Sequence, residues 1–258
     1  MITSSSNHHV KKVAQLQKKG KVRDEEDCFV AEGLKMVLEA PRDKICQIYL
    51  AASFYEEHGI PDQIKGIPTE VVEDRLFSQM SDTKTPQGIM CLVRQYHYSL
   101  DDMLRRKDAL ILVLEDLQDP GNVGTIFRTA EGAGADGIIL SGGCVDIYHP
   151  KTIRATMGSI YRMPFLRTKS MNDAIKEIKS RGICTYAADL EGKNFYDEED
   201  YKKGTAFFIG NEGKGLGADL IREADIRIKI PMEGRLESLN AAVAAALLVY
   251  ECHRQRKQ

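Results

Sequence analysis

The sequence has no excess charge of either sign: 36 Lys and Arg stand against 38 Asp and Glu in 258 residues. A balance this even does not announce a polyanionic partner through bulk electrostatics, so any nucleic-acid contact must come from local patches. Long hydrophobic runs are missing too. The longest, Ala241 to Tyr250, is about half a bilayer-spanning helix, and the polar start Met1 to Asn7 lacks the apolar stretch of a secretion signal. Neither secretion nor membrane insertion is expected. The six cysteines, at 28, 46, 91, 144, 184 and 252, form no Cys-x-x-Cys pair and no metal-ligand spacing. Free thiols in a cytoplasmic protein, with no bound metal, are the expectation.

What is present is enough apolar material, 43%, for a sizeable core in one to two domains. Basic residues at 11, 12, 18, 19, 21 and 23 precede the first acid, Asp24, and Val10, Val13 and Leu16 give part of a helical stripe. This is a short helix with a basic arm, and a solvated helix face explains it as well as a partner does. From Cys28 to Val93, short strands (Gln47 to Ala51, Ile89 to Val93) alternate with helices (Gly33 to Glu39, Val72 to Ser78). That reads as a small α/β domain over residues 1–100. A polar stretch, Gln95 to Lys107, precedes the continuous apolar run 109–114, typical of a strand buried on both faces. Further buried strands are expected at Gly137 to Leu140, Ile183 to Ala187, Ala206 to Ile209 and Arg227 to Ile230. The helices between them, Val123 to Gly132, Asn172 to Arg181 and Ala218 to Glu223, make residues 108–258 a mostly parallel, helix-covered sheet.

In such sheets ligands collect beyond the carboxyl ends of the strands. Three loops qualify. Asp119-Pro120-Gly121-Asn122-Val123-Gly124 leads into a helix carrying Arg128, although a turn plus a surface Arg explains this segment alone equally well. Gly210 to Gly217 holds four glycines in eight residues, which lets backbone approach a ligand closely. Gly213, Gly215 and Ala218 also fit a loose dinucleotide pattern, whereas Gly132, Gly134 and Gly137 follow a helix and read as its C-cap. The third loop runs from Ile230 to Asn240 into an alanine-rich helix that Ser238 is placed to cap. Between the first two loops, Ile147 to Asn172 carries five basic residues and no acid. Interleaved Tyr and Arg suit phosphate contact and base stacking, so Lys11, Lys12, Arg23, Lys151, Arg154 and Arg162 are the candidate RNA contacts.

DPGNVGTIFRTA, FIGNEGKGL and IPMEGRLESLNAAVA, in this order, resemble the three motifs of the SpoU/TrmH-type RNA 2′-O-ribose methyltransferases of the SPOUT superfamily. The likeness covers about 110 to 250. HHVKKVAQLQKKGKVRDEEDCFVAEGLKMVLEA and SDTKTPQGIMCLV resemble, more loosely, the family's substrate-binding extension. The chain departs from the family at Leu236-Glu237, where small residues are common. The resemblance implies an α/β fold whose C-terminal segment is threaded into a trefoil knot, and a homodimer with Arg128 acting near the partner's knot. It implies S-adenosylmethionine as cofactor, held around Gly210, Asn211, Gly213, Ile230, Met232 and Leu239. It implies an RNA partner, ribosomal before transfer RNA.

Methyl transfer to a ribose 2′-hydroxyl is an in-line displacement in which positioning supplies much of the rate. A guanidinium stays protonated at ordinary pH, so Arg128 is expected to anchor phosphate and steady the developing alkoxide. Asn122 is expected to orient Arg128 or the ribose, Glu212 to fix a neighbouring loop or arginine, and Ser238 with Asn240 to hold the acceptor or its proton path. Two rivals are a nicotinamide-dependent oxidoreductase, for which Glu233 is a poorly placed ribose ligand, and an RNA-binding scaffold without chemistry.

Overall fold

The computed structural model describes residues 1–235 and 238–257; the Leu236-Glu237 departure lies outside the described residues. Contacts divide the chain into two compact units, residues 1–96 with 146–161, and residues 97–145 with 162 onward.

The first unit begins with α1 (His8–Lys18), α2 (Gly20–Glu25), β1 (Cys28–Glu32), α3 (Leu34–Glu39), β2 (Ile45–Ala51), α4 (Ala52–His58), β3 (Thr69–Val72), α5 (Asp74–Met80) and β4 (Ile89–Arg94). Its sheet runs β1-β4-β2-β3, with β4 antiparallel to both neighbours and β3 parallel to β2. Helix α1 starts where the Asn7 side chain accepts from the His9 N–H, and it buries Val10, Val13 and Leu16, the stripe its spacing required. The helix expected over 72–78 begins only at Asp74, because Thr69-Glu70-Val71-Val72 extends as β3. Periodicity alone does not separate strand from helix in so short an apolar run.

The second unit opens with α6 (Leu100–Met103), β5 (Leu110–Leu114), α7 (Pro120–Ala133) and β6 (Gly137–Leu140). The chain then lends Asp146–Tyr161, containing α8 (Pro150–Thr156), to the first unit, although the sequence groups this segment with residues 108–258. There the Tyr148 ring stacks on Phe29 at 4.7 Å and the Tyr161 hydroxyl donates to the Met36 carbonyl at 2.9 Å. The chain returns as β7 (Phe165–Arg167), α9 (Met171–Ser180), β8 (Cys184–Ala188), β9 (Asn194–Phe195), β10 (Thr205–Ile209), α10 (Ala218–Glu223), β11 (Ile226–Lys229) and α11 (Ala241–Arg256). The seven strands lie in the order β7-β6-β5-β10-β8-β11-β9, every pair parallel.

This sheet is covered on both faces, as its uninterrupted apolar strands require. Ile111 and Val113 of β5, with Ala206 and Phe208 of β10, pack against Ile175 and Ile178 of α9 and Leu220 of α10. The alternate residues Leu110, Leu112, Leu114 and Phe207 are equally buried and by the strand period of two point to the other face, where α7 and α11 pack together and α11 meets β10. Asp119 caps α7, Pro120 occupies its first turn, and Gly134 ends it at φ 76°, the termination expected of that glycine. Helix α11 is capped by Asn240, whose side chain accepts from the Ala242 and Val243 N–H groups, and not by Ser238. Among the described residues no helix is long and apolar enough to cross a membrane.

Candidate active site

Four loops meet beyond the carboxyl ends of β5, β8, β10 and β11. Those after β8, β10 and β11, with the start of α11, enclose a cavity of about 320 Å³ whose apolar lining includes Ile209, Ile228 and Leu248. Gly210, Asn211, Gly213, Ile230, Met232 and Leu239, all named from the motifs, line it, together with Glu212 and Ser238. Sequence reasoning missed Asp189 and Leu190, which form the wall beyond β8. No glycine cluster marks that turn; the available signal was the expected strand Ile183 to Ala187, whose carboxyl end reaches the same rim.

The glycine loop is tightly built. A Cβ on Gly210 would collide with the backbone of Gly215 and Leu216, and Gly215 sits at φ 69°, so neither position accepts a side chain without displacing the turn. Asn211 and Gly215 exchange backbone hydrogen bonds of 2.9 Å in each direction. The Asn211 side chain is fully engaged: Oδ1 accepts from Gly213 N at 3.0 Å and Lys214 N at 3.1 Å, while Nδ2 donates to the Asp116 carbonyl at 2.7 Å. It shapes the wall of the cavity.

Glu212 joins the three motifs. Its carboxylate accepts from Gln118 N and Asp119 N, both at 3.3 Å, and from Asn122 Nδ2 at 3.0 Å. Asn122 Oδ1 then accepts from Asn240 Nδ2 at 2.9 Å, which leaves Asn240 Oδ1 to cap α11. The amide orientations follow in sequence, since the carboxylate requires a donor at one end and the helix N–H groups require an acceptor at the other. Burial opposes ionisation of Glu212, but the hydrogen bonds from Asn122 and from backbone N–H groups outweigh it and hold the carboxyl below its ordinary range.

Asn122 therefore orients Glu212 and Asn240 and makes no bond to Arg128, the first of its two expected partners. Six residues along a helix turn a side chain through about 240°, so Arg128 emerges on another face of α7. It is exposed, and it has no hydrogen bond or ion pair among the described residues. Ser238 is exposed at the cavity rim.

The candidate RNA contacts divide. Arg23 is 3% exposed, its guanidinium committed to Asp146 and to the Leu16 and Gln17 carbonyls, so it braces the first unit and leaves the contact set. Tyr148, at 6% exposure, is likewise part of the core and offers no stacking face. Lys12 pairs with Glu26, Arg154 with Asp82 and Arg162 with Glu131. Lys11 and Lys151 are exposed.

Comparison with known proteins places this geometry. The profile described as the SpoU rRNA Methylase family matches residues 109–250. The chain belongs to that family. It is an S-adenosylmethionine-dependent RNA methyltransferase, and the dinucleotide pattern at Gly213, Gly215 and Ala218 is incidental to the motif's glycine loop. Residues 7–91 match the MRM3-like substrate binding domain. The 23S rRNA (guanosine(2553)-2′-O)-methyltransferase RlmP of Bacillus subtilis (strain 168) is 34% identical over 250 residues, covering 96% of this chain and 97% of that protein. The crystal structure of an AdoMet-bound rRNA methyltransferase from Sinorhizobium meliloti superposes with a TM-score of 0.87 at 35% identity, over 98% of this chain and 97% of that one. A structure concerned with 2′-OH methylation of C/U34 on tRNA covers 58% of this chain and 97% of its own, with a TM-score of 0.53 and 30% identity.

Proposed function

We propose that this protein methylates a ribose 2′-oxygen in ribosomal RNA, with the donor in the cavity beside Gly210 and the chemistry at the Glu212–Asn122–Asn240 junction. The carrying observation is that the second and third motifs line one cavity while Glu212, through Asn122, ties the first motif to both. Its volume lies in the usual range for small-molecule sites. A cavity with apolar lining next to glycine backbone suits a flat purine and its hydrogen-bonding edge, and a side chain on Gly210 would displace the loop that walls it. When bound, S-adenosylmethionine supplies an electrophilic methyl on a sulfonium.

The protein's residues supply alignment and charge. Glu212, Asn122 and Asn240 hold the first and third loops against the second, so that the cavity walls keep their spacing. Ser238 offers a hydroxyl at the rim where an acceptor ribose would enter. Arg128, positive and uncommitted, anchors a phosphate of the substrate and stabilises negative charge developing on the attacking oxygen.

A homodimer is part of the same proposal. Val243, Leu247 and Tyr250 of α11 are 48, 36 and 48% exposed at a spacing that puts them on one helix face, and α11 packs beside α7. A second copy on this apolar stripe would bring a partner's cavity toward Arg128. A trefoil knot in the C-terminal segment belongs to the same proposal. Ribosomal RNA is preferred over transfer RNA because the matched rRNA enzymes extend over the first unit, whereas the tRNA-related structure covers little more than half of the chain.

Mass spectrometry of nucleosides from ribosomal and transfer RNA fractions, with and without the gene, tests the reading. Loss of one 2′-O-methyl nucleoside from the ribosomal fraction is expected. Loss confined to the transfer RNA fraction would reassign the substrate, and no change in either would remove the activity.

A further inference from the structure

The donor loop does not hold its own shape. Residues 210–217 contain four glycines, and the internal bonds between Asn211 and Gly215 close the turn without tying it to the sheet. Besides the Glu212 junction, its ties come from two consecutive residues at the end of β5 that no motif singled out. Glu115 N donates to the Ile209 carbonyl at 2.9 Å, just where the loop leaves β10. Glu115 Oε2 accepts from Gly217 N at 2.6 Å, where the loop enters α10. Between these points the Asp116 carbonyl accepts from Asn211 Nδ2 at 2.7 Å.

Asp116 reaches that position only through a left-handed backbone, φ 53°, which is uncommon outside glycine. Its conformation is held by Ser141: Oγ donates to Asp116 Oδ1 at 2.6 Å and accepts from Asp116 N at 2.9 Å. Gly143 lies against the same carboxylate, and a Cβ there would overlap it. A sparsely populated conformation fixed by its surroundings, behind a loop that lines a cavity, is how sites preorganise.

We infer that Glu115 and Asp116 are positioning residues for donor binding, a two-residue clamp that holds both ends and the middle of the glycine loop in its ligand-binding form. The inference rests on the donor reading of the cavity. Without the clamp the glycine backbone gains conformations that binding must then remove, so the loss falls on donor affinity and leaves RNA contacts alone.

Calorimetric titration of the full chain with S-adenosylmethionine tests this, alongside bulk ribosomal RNA binding at fixed ionic strength. Glu115→Ala should weaken donor binding by about tenfold or more, the usual loss for a hydrogen bond to a charged acceptor, with RNA affinity unchanged. Glu115→Gln, which keeps an acceptor oxygen for Gly217, should restore most of it; a merely structural role would not produce that rescue together with the split between ligands. Should Glu115→Ala fold poorly, Asp116 gives a second pair: Asp116→Asn keeps an acceptor oxygen for Ser141, the carbonyl and tolerance of the left-handed backbone, and should bind the donor nearly as the parent does, while Asp116→Val should not. If the parent binds donor and Glu115→Ala binds it equally tightly, the clamp is overturned. If the parent binds none, the donor reading falls and the clamp with it.

Discussion

Glu212 faces three donors with two oxygens, and an amide in its place would turn a donor toward Gln118 N. Glu212→Gln is therefore expected to loosen the junction of the three loops and lower kcat/KM by about tenfold or more, as steady-state kinetics on methylation-deficient ribosomal RNA would read. The pH dependence has a definite sign. Because the folded carboxyl is held below its ordinary value, its stabilisation is complete above an unfolded value of about 4.3 and is lost as pH falls through the folded one. Thermal melts of parent and Glu212→Gln should differ by a constant amount from about pH 6 to 8 and converge below about pH 4; a gap that widens in acid would refute the assignment. Arg128 behaves differently, since it has no described partner to lose. Arg128→Lys should fold like the parent yet lose most activity if the contact is a planar two-point grip on phosphate; full activity would exclude that grip.

Helix α11 shows how far an element can be read from its letters. Its alanine-rich run foretold a helix packed at close range, and it does pack on α7 and β10. Its start after Asn240 was read correctly, but its cap was assigned to Ser238, because Ser238 and Asn240 are both good caps and only the bond that Asn240 donates to Asn122 decides between them. The three strand-loop-helix motifs were legible for a simple reason: glycine spacing and flanking apolar runs are local. The clamp from β5 was not, because a carboxylate accepting from a loop about a hundred residues away leaves no local pattern. Nor does composition reveal that one face of α11 stays apolar and exposed. If Val243, Leu247 and Tyr250 receive a second copy, Leu247→Glu should convert a dimer to a monomer in light scattering and abolish methylation while donor affinity persists. Mixing Arg128→Ala with Gly210→Trp subunits should then restore activity, since one of the two sites in a mixed dimer is intact only when Arg128 serves its neighbour. A Leu247→Glu protein that is unchanged in mass and activity would remove the interface.

At the scale of the whole chain, the division expected near residue 100 misses that the first unit is assembled from two stretches. Residues 146–161 have a basic, aromatic composition that reads as an RNA-facing segment, yet Tyr148 and Tyr161 are buried in the first unit and Asp146 neutralises Arg23. The basic arm at the start of the chain and the acid just before the acid-free stretch are thus two parts of one structural bond, invisible locally because 123 residues separate the partners. The consequence is energetic. Removing Asp146 leaves a guanidinium at 3% exposure with carbonyl contacts but no counter-charge, and stripping one partner from such a pair costs about 3–5 kcal/mol. Asp146→Ala is expected to lower the first unit's denaturant midpoint by a corresponding amount, and a fragment of residues 1–100 should fail to reach the native packing of β1, whose Phe29 loses Tyr148. Hydrogen exchange on the full chain would localise the effect: faster exchange in β1 and α2, with β5 and β10 protected as before. Equal stability of the 1–100 fragment and the intact first unit would show that the borrowed segment merely rests on the surface.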